Sequence, residues 1–296
     1  MVFREGTYLQ KATSLLFGRF EELKEMAFVE RLKAIPPLAL EVPPRPVYRF
    51  KHSGNAGDIV YSLPALAALA KGAPAEIYLK LDAPARYGRR VHPLGNVMLN
   101  RKMFNMLKPL LERQTQIAAC EIFGDQEIDF DLDAMRRYPF PQHAGHIARW
   151  YFLTFAVTAD LGRPWLAATP SKEFERHIVL ARSQRYRAPM VDYSFLSKYP
   201  RVGFVGIEAE FNDMRAMVPH LEYLPVVDFL QMAEIIAGSH LFIGNQSFPF
   251  SLAEGLKVRR MLEVCHLCPN VIVEGPNGYD FCYQPQFEAV VSRLMA

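Results

Sequence analysis

A strand, a glycine-rich turn and a helix follow one another near the start of the main part of the chain, and this pattern most constrains the fold. Residues 47–50 alternate as a strand does, residues 53–58 read SGNAGD, and the apolar run 59–70 predicts a helix. Strands at 75–81, 117–123 and 130–132 and a helix at 103–113 are predicted next. This alternation predicts a parallel sheet with helices on both faces.

The second half repeats the alternation. An apolar run predicts a long buried helix at 143–161, and periodicity is lost after Gly162-Arg163-Pro164. Beyond it we predict strands at 177–181, 201–206, 240–243, 260–264 and 271–274, and helices at 191–196, 226–237, 249–256 and 286–295. A chain of 296 residues divides naturally between two cores. We therefore predict two Rossmann-like units, at 47–168 and 169–296, with the last helix able to pack back on the first unit.

Residues 1–46 form a separate N-terminal segment. Apolar residues recur near the helical period between Tyr8 and Ala34, which predicts amphipathic helices, and the proline-rich stretch 35–46 ends them. The start of the chain lacks the apolar block of a signal peptide, and no stretch reaches the roughly 20 apolar residues of a membrane span. We expect a cytoplasmic protein.

The net charge of +3 is too small to indicate nucleic-acid binding by itself. Short basic runs are usually solvated surface. Three such runs are present, namely Arg86/Arg89/Arg90, Arg136/Arg137 and Arg182/Arg185/Arg187.

The four cysteines are too few and too unevenly spaced for a disulfide framework. Cys265 and Cys268 have the spacing of half a zinc site, which only Cys282 or a nearby histidine could complete. Buried thiols are the favoured interpretation, and no metal site is predicted.

The loop Ser53, Gly54, Asn55, Ala56, Gly57 and Asp58 lies where ligands bind in open α/β sheets, at the carboxyl end of a strand. Its glycines allow close backbone approach, and the following helix start favours anionic groups. Asp58 is placed either to deprotonate an acceptor hydroxyl or to cap the helix. The loop lacks the Gly-x-Gly-x-x-Gly spacing, which disfavours a nicotinamide enzyme.

Two segments of the second unit are candidates for phosphate binding. Arg182 and Arg185 follow a predicted strand, where guanidinium groups suit bidentate phosphate contacts, although a solvated loop is the alternative. The second candidate is a strand-to-helix turn that offers backbone amides and hydroxyls to a diphosphate or is an ordinary capped turn. It comprises Gly244, Asn245, Gln246 and Ser247.

The segment GDIVYSLPAL from Gly57, with IGNQS at 243–247 and AEGL at 253–256, resembles the ADP-heptose:lipopolysaccharide heptosyltransferase family of GT-B glycosyltransferases. The resemblance implies two Rossmann-like domains facing a central cleft and a nucleotide-sugar donor. It implies Asp58 as the base of an inverting transfer that needs no metal or other cofactor, with residues 53–57 facing a carbohydrate or other hydroxyl acceptor. It also implies that Arg182 or Arg185 contacts donor phosphate.

The second motif departs from the family pattern. Gln246 stands in place of an aspartate, and residues 248–251 (FPFS) replace the glycine and the Pro-x-His that follow. The resemblance therefore implies neither heptose nor a particular nucleotide. A carboxylate that binds ribose is expected at Glu254 or Glu263, with a slight preference for Glu263.

Other polar residues have weaker claims. His143 and His146 precede a helix and either touch a sugar or, more commonly, cap the helix. Asp129, Asp131 and Asp133 alternate like a metal site, but a solvated edge is the better interpretation. Competing functions are a nucleotide-sugar epimerase or hydrolase and a non-catalytic nucleotide-sugar or nucleic-acid binding module. A modified base in DNA is an alternative acceptor.

Overall fold

The computed structural model describes residues 8–36, 38, 42–85 and 95–296, so the run Arg86/Arg89/Arg90 lies outside the described residues. Helix α1 (Tyr8–Lys33) exposes large apolar side chains such as Phe17, Phe20 and Leu23. These side chains are therefore not packed against the first unit. Within the described ranges no helix is long and apolar enough to cross a membrane.

The first unit is built on four parallel strands. They are β1 (Tyr48–His52), β2 (Ala75–Leu79), β3 (Ile117–Ile122) and β4 (Phe130–Asp131). The order across the sheet is β3-β2-β1-β4. The helices are α2 (Ala56–Ala70), α3 (Arg101–Glu112) and α4 (Ile147–Phe155).

One face of this sheet is apolar and the other is charged. Phe50 of β1 is fully buried, whereas Arg49 is exposed and pairs across the sheet with Glu76 of β2. In the described part of the chain, helices therefore bury one face, and the prediction of helices on both faces does not hold for this sheet.

The second unit has six parallel strands. They are β5 (Ile178–Ala181), β6 (Val202–Phe204), β7 (Glu222–Tyr223), β8 (Leu241–Asn245), β9 (Arg260–Glu263) and β10 (Gly278–Phe281). Their order is β10-β9-β8-β5-β6-β7. The helices are α5 (Glu208–Arg215), α6 (Phe229–Gly238), α7 (Phe248–Leu256) and α8 (Gln284–Met295).

Alternate residues of the second sheet enter two different cores. Val179 of β5 belongs to a core that continues into the first unit, where it includes Phe50; we call this the shared core. Leu180 belongs to a second core formed within the second unit alone. Helix α8 buries Phe287 there, stacked 3.9 Å from Phe281 between ring centroids. The last helix therefore packs on the second unit and not on the first.

Three predicted elements differ from the structure. Helix α4 ends at Phe155 because Ala156 adopts the left-handed conformation, and 191–196 holds only part of a 3₁₀ turn at Ser194–Lys198. The predicted strand at 271–274 is absent. The amide and carbonyl of Glu274 instead bind side chains of the buried Glu254 and Arg260, so they are not available to a strand ladder.

Candidate functional site

Asp58 lies in the first turn of α2, at the carboxyl edge of the first sheet. The N-cap position of α2 is Asn55, so Asp58 does not cap the helix. Its carboxylate instead accepts a hydrogen bond from Arg136, with 2.8 Å between Nη2 and Oδ2. The Asp58 side chain keeps 24% of its surface exposed, so its carboxylate is accessible to a ligand.

Gly54 is required by the close packing around this ion pair. A Cβ atom at position 54 would lie 2.1 Å from Arg136 Nη2, 2.5 Å from His52 Cε1 and 3.0 Å from Asp58 Oδ2. These separations are shorter than van der Waals contact, so any larger residue would displace the Arg136 guanidinium. The glycine that sequence analysis assigned to ligand approach therefore also makes room for a side chain of the protein.

A neutral histidine holds the loop in place. Nδ1 of the fully buried His52 accepts a hydrogen bond from the Gly54 amide (2.8 Å), so Nε2 carries the proton and donates it to the Tyr151 hydroxyl (2.8 Å). Tyr151 in turn donates to the Asp58 carbonyl at 3.4 Å. Burial, assisted by the positive charge of Arg136, lowers the pKa of His52 to about 3. The imidazole therefore acts as an uncharged connector.

Arg136 bridges two carboxylates. Its Nη1 donates to Asp133 Oδ1 at 2.6 Å, and Asp133 also accepts from Lys51 (3.2 Å) and from the Ser53 amide (2.9 Å). Burial alone would raise the pKa of Asp133, but the Arg136 charge and the Ser53 hydrogen bonds outweigh it and hold that pKa below its usual range. The expectation of a solvated edge is therefore wrong for Asp133, which is a largely buried part of the loop support.

In the second unit, Asn245 fixes the loop that follows β5. It is fully buried, accepts a hydrogen bond from the Ser183 amide (3.0 Å) and donates to the Ser183 carbonyl (2.9 Å). Gly244 is enclosed in β8, where a Cβ atom would lie 3.0 Å from the Ala181 carbonyl oxygen. Neither Gly244 nor Asn245 lines the cavity between the two units that is described below. Their role is to shape the turn before α7.

Gln246 supports a connection between the units. Its amide nitrogen donates to the Cys268 carbonyl and to Asn270 Oδ1 (2.8 Å), and its oxygen accepts from the Cys265 amide (2.8 Å). Asn270 donates in turn to the Gln142 carbonyl of the first unit at 2.9 Å. Gln246 thus holds in place the loop around Asn270 that contacts the first unit.

Arg182 and Glu263 pair with each other and not with a ligand. The guanidinium donates to both carboxylate oxygens, at 2.7 and 2.8 Å, and lies 4.5 Å from the centroid of the Tyr193 ring. Glu254 is also fully buried, where it binds Arg260 and Lys257. The expectations that Arg182 meets phosphate and that Glu263 or Glu254 meets ribose do not fit this arrangement, because all three groups are buried and engaged.

A cavity of about 160 Å³ separates the carboxyl edge of the first sheet from the start of α7. A Cβ atom built on Gly57 would lie 3.9 Å from Phe248 Cα, so the two units approach closely there. The lining includes Asn55, Gly57, Asp58 and Tyr61 of the first unit and Arg185, Tyr186, Gln246, Ser247 and Ser251 of the second. The structure therefore brings Asp58, Arg185 and two residues of the candidate phosphate-binding turn, Gln246 and Ser247, to one cavity.

Three residues of this region, Tyr61, Tyr186 and Arg136, were not identified as site residues from the sequence. Tyr61 follows Asp58 by one helical turn, and its buried hydroxyl has no hydrogen-bond partner within the described ranges. The Arg185 guanidinium lies 5.1 Å from the centroid of the Tyr186 ring. Arg136 had been assigned to a solvated basic run. The spacing of three residues from Asp58 to Tyr61 and from Asp133 to Arg136 is the pattern that places each pair on one helical face.

The histidine and cysteine candidates are not at the cavity. His146 is the N-cap of α4, where its Nδ1 accepts from the Ala148 amide (3.1 Å), and His143 is exposed, so the capping interpretation of His146 is confirmed. Cys265 and Cys268 are buried and Cys282 is exposed. Among the residues described, no group of three or more His, Cys, Asp or Glu side chains is arranged to hold a metal ion.

A larger depression of about 320 Å³ lies at the opposite, amino-terminal edge of the second sheet, beside His240 and Arg259. Arg259 donates there to His240 Nε2 (2.8 Å) and to the Leu294 carbonyl in the last turn of α8 (3.3 Å). These contacts stabilise a helix end. The depression lacks the facing loops and helix start that favour the cleft as the functional site.

No protein-family model matches the chain, and no curated protein matches it in sequence. Solved structures do match its fold. Heptosyltransferase WaaC of E. coli, solved with ADP-2-deoxy-2-fluoro heptose, is 10% identical with a TM-score of 0.57, over 83% of this chain and 99% of WaaC.

Two further structures agree with this match. The family 9 glycosyl transferase from Veillonella parvula DSM 2008 is 13% identical with a TM-score of 0.51, over 83% of this chain and 88% of its own. E. coli ADP-heptose lipopolysaccharide heptosyltransferase II is 12% identical with a TM-score of 0.51, over 84% and 98%. The chain thus has the fold of the heptosyltransferases and family 9 glycosyltransferases.

Proposed function

We propose that the protein is a GT-B type glycosyltransferase that moves a sugar from a nucleoside diphosphate to an acceptor hydroxyl with inversion. The observation that carries this proposal is the shared cavity, which Asp58 enters from one unit and the start of α7 enters from the other. A base and an anion-binding helix start on opposite sides of one cavity suit a single displacement. The likeness to known glycosyltransferases supports the same chemistry at the level of fold.

In this proposal the second unit stabilises the leaving nucleoside diphosphate. Arg185 and Ser247 line the cavity at the amino-terminal end of α7. Cationic and amide groups aimed at the leaving oxygens stabilise the charge that develops in the transition state. We propose that they serve in place of a divalent ion, so that transfer continues in the presence of EDTA.

The cavity must enlarge to admit the donor. Its volume of about 160 Å³ is below the roughly 300 Å³ at which pockets for small ligands begin. We propose that the units open about the connection at 167–171, which leads from the first unit to the second. Closure would then exclude water, which competes with the acceptor for the sugar.

The first experiment is a thermal-shift screen with ADP-, UDP-, GDP- and CMP-sugars, because a ligand that binds the folded state raises the melting temperature. The stabilising donor is then incubated with hydroxyl acceptors, with and without EDTA, and product and anomeric configuration are determined. Asp58→Asn should abolish transfer and keep the donor-induced shift. Asp280→Asn, which removes an exposed carboxylate of β10, is the matched control and should remain active.

Three outcomes would overturn the proposal. They are the absence of any donor-induced shift, sugar release or epimerisation that proceeds equally without acceptor, and undiminished transfer by Asp58→Asn. Loss of activity in EDTA would contradict only the proposal that transfer needs no metal ion. Retention of the anomeric configuration would contradict only the proposal that transfer inverts the anomeric carbon.

A further inference from the structure

Arg136 contacts Asp58 through one oxygen only, and this has a consequence for proton transfer. Nη2 of Arg136 donates to Asp58 Oδ2, and within the described ranges no hydrogen bond to Oδ1 is present. We propose that Arg136 is a positioning residue that holds Asp58 by Oδ2 so that Oδ1 faces the acceptor hydroxyl. This inference rests on the glycosyltransferase function proposed above.

The guanidinium is itself held rigidly. Asp133 accepts from its Nη1 at 2.6 Å, and Asp133 is fixed by Lys51 and by the amide of Ser53 in the same loop as Asp58. The planar fork of arginine binds two carboxylates in a set geometry, which a flexible ammonium group does not reproduce. Arg136 therefore couples the direction of the Asp58 carboxylate to the backbone of its own loop.

The arrangement also balances charge during the reaction. The acceptor O–H bond breaks as its proton moves to Oδ1, the acceptor oxygen bonds to the anomeric carbon, and the bond from that carbon to phosphate breaks with its electron pair leaving on the diphosphate. Asp58 is neutral after this step. Arg136 still has Asp133 as a charged partner, so no unpaired cation is left in a site where Arg136 is only 22% exposed.

The test compares Arg136→Gln and Arg136→Lys with Arg137→Gln, which removes a neighbouring exposed charge. We expect kcat of Arg136→Gln to fall about 100-fold, the cost of a misplaced catalytic group. The donor KM should change less than about twofold, because the substitution does not alter the contacts that bind the donor equally in the ground state and the transition state. Arg136→Lys should recover part of kcat, and Arg137→Gln should match the wild type. Melting temperatures establish that each variant is folded.

Folded Arg136→Gln with wild-type kcat, or with kcat/KM reduced through KM alone, would overturn the inference. If Arg136→Gln does not fold, Arg136→Lys decides, and unchanged kcat in that variant is the contrary result. A wild-type protein that transfers no sugar contradicts the proposed function itself. Active wild type, inactive Asp58→Asn and fully active Arg136→Gln contradict only the role of Arg136.

Discussion

Arg182 and Glu263 join the ends of two strands of the second sheet through a bidentate ion pair. Arg182 follows β5 and Glu263 ends β9, so the pair spans β8, which lies between them. Glu263 also accepts from the Tyr193 hydroxyl (2.9 Å) and the Ala188 amide (2.7 Å). The pair therefore organises the loop that carries Arg185 into the cavity.

Replacing Glu263 by Gln should destabilise the protein strongly. It leaves the Arg182 charge buried without a counter-charge, and breaking one partner of a buried pair costs about 3–5 kcal/mol. Urea denaturation measures the free energy of unfolding. Glu274→Gln, at a half-exposed pair with the exposed Arg149, is the matched control and should cost about 1 kcal/mol or less. Equal losses in the two variants would contradict this account.

Stability should decrease as the pH falls from 7 to 5. Burial lowers the pKa of His52 to about 3 and that of His146 to about 4, against 6.5 in an unfolded chain. The unfolded state then binds more protons below pH 6.5, so the free energy of unfolding falls by about 2 kcal/mol per histidine by pH 5. Urea denaturation at both pH values measures it.

His143 provides the control for this pH dependence, because it is exposed and lies close to His146 in sequence. His143→Gln should keep the decrease in stability between pH 7 and pH 5. His146→Asn, whose side-chain oxygen can still cap α4, should show a smaller decrease. A wild-type free energy of unfolding that is the same at both pH values would refute the argument.

One thiol per native chain should react with a disulfide reagent. Cys282 is exposed, whereas Cys120, Cys265 and Cys268 are buried, and burial raises the pKa of Cys120 to about 12. Reactivity follows the exposed thiolate. Cys282→Ser should therefore show almost no native labelling, and denaturation of the wild type should release four reactive thiols. Rapid labelling of Cys265 and Cys268 in the native state would show that their loop is open.

Gly54 and Gly57, which lie three residues apart, should respond differently to alanine. Gly54→Ala forces the Arg136 guanidinium away from Asp58, since the new Cβ would lie 2.1 Å from Nη2. We expect a loss of about 1–3 kcal/mol. Gly57→Ala meets only Phe248 and Ser251 at 3.9 Å and lies in a helix, so the folded state should keep its stability. Thermal melting compares the two, and equal destabilisation would be the contrary result.

The order of elements was readable from the sequence because apolar runs separated by glycine and proline mark most strands and helices. The apolar runs at β5 and β8 are nearly continuous because these strands are buried on both faces. The segment 271–274 has the same apolar character, but its backbone is bound by the buried charges of Glu254 and Arg260. Hydrogen bonds from distant side chains to the backbone cannot be recognised from the local sequence pattern.

The site was partly predictable for a similar reason. Arg185 and Ser247 follow neighbouring parallel strands of the second sheet, so their proximity at its carboxyl edge follows from topology. Asp58 follows a strand of the first sheet, and it lines the same cavity because the two units face each other there. The partner of Arg182 and the Asp58 partner of Arg136 did not follow. Each depends on a carboxylate about 80 residues away in the chain, and spacing carries no information about such distant pairs.

The shared core makes each unit dependent on the other for burial of its apolar surface. Phe50 of the first unit and Phe242 and Phe250 of the second belong to it. A fragment ending at residue 168, or one beginning at residue 169, would expose to water apolar surface that is buried in the intact chain. We therefore expect the whole body to unfold in one cooperative transition, and neither half to serve as an autonomous module for recombination with other proteins.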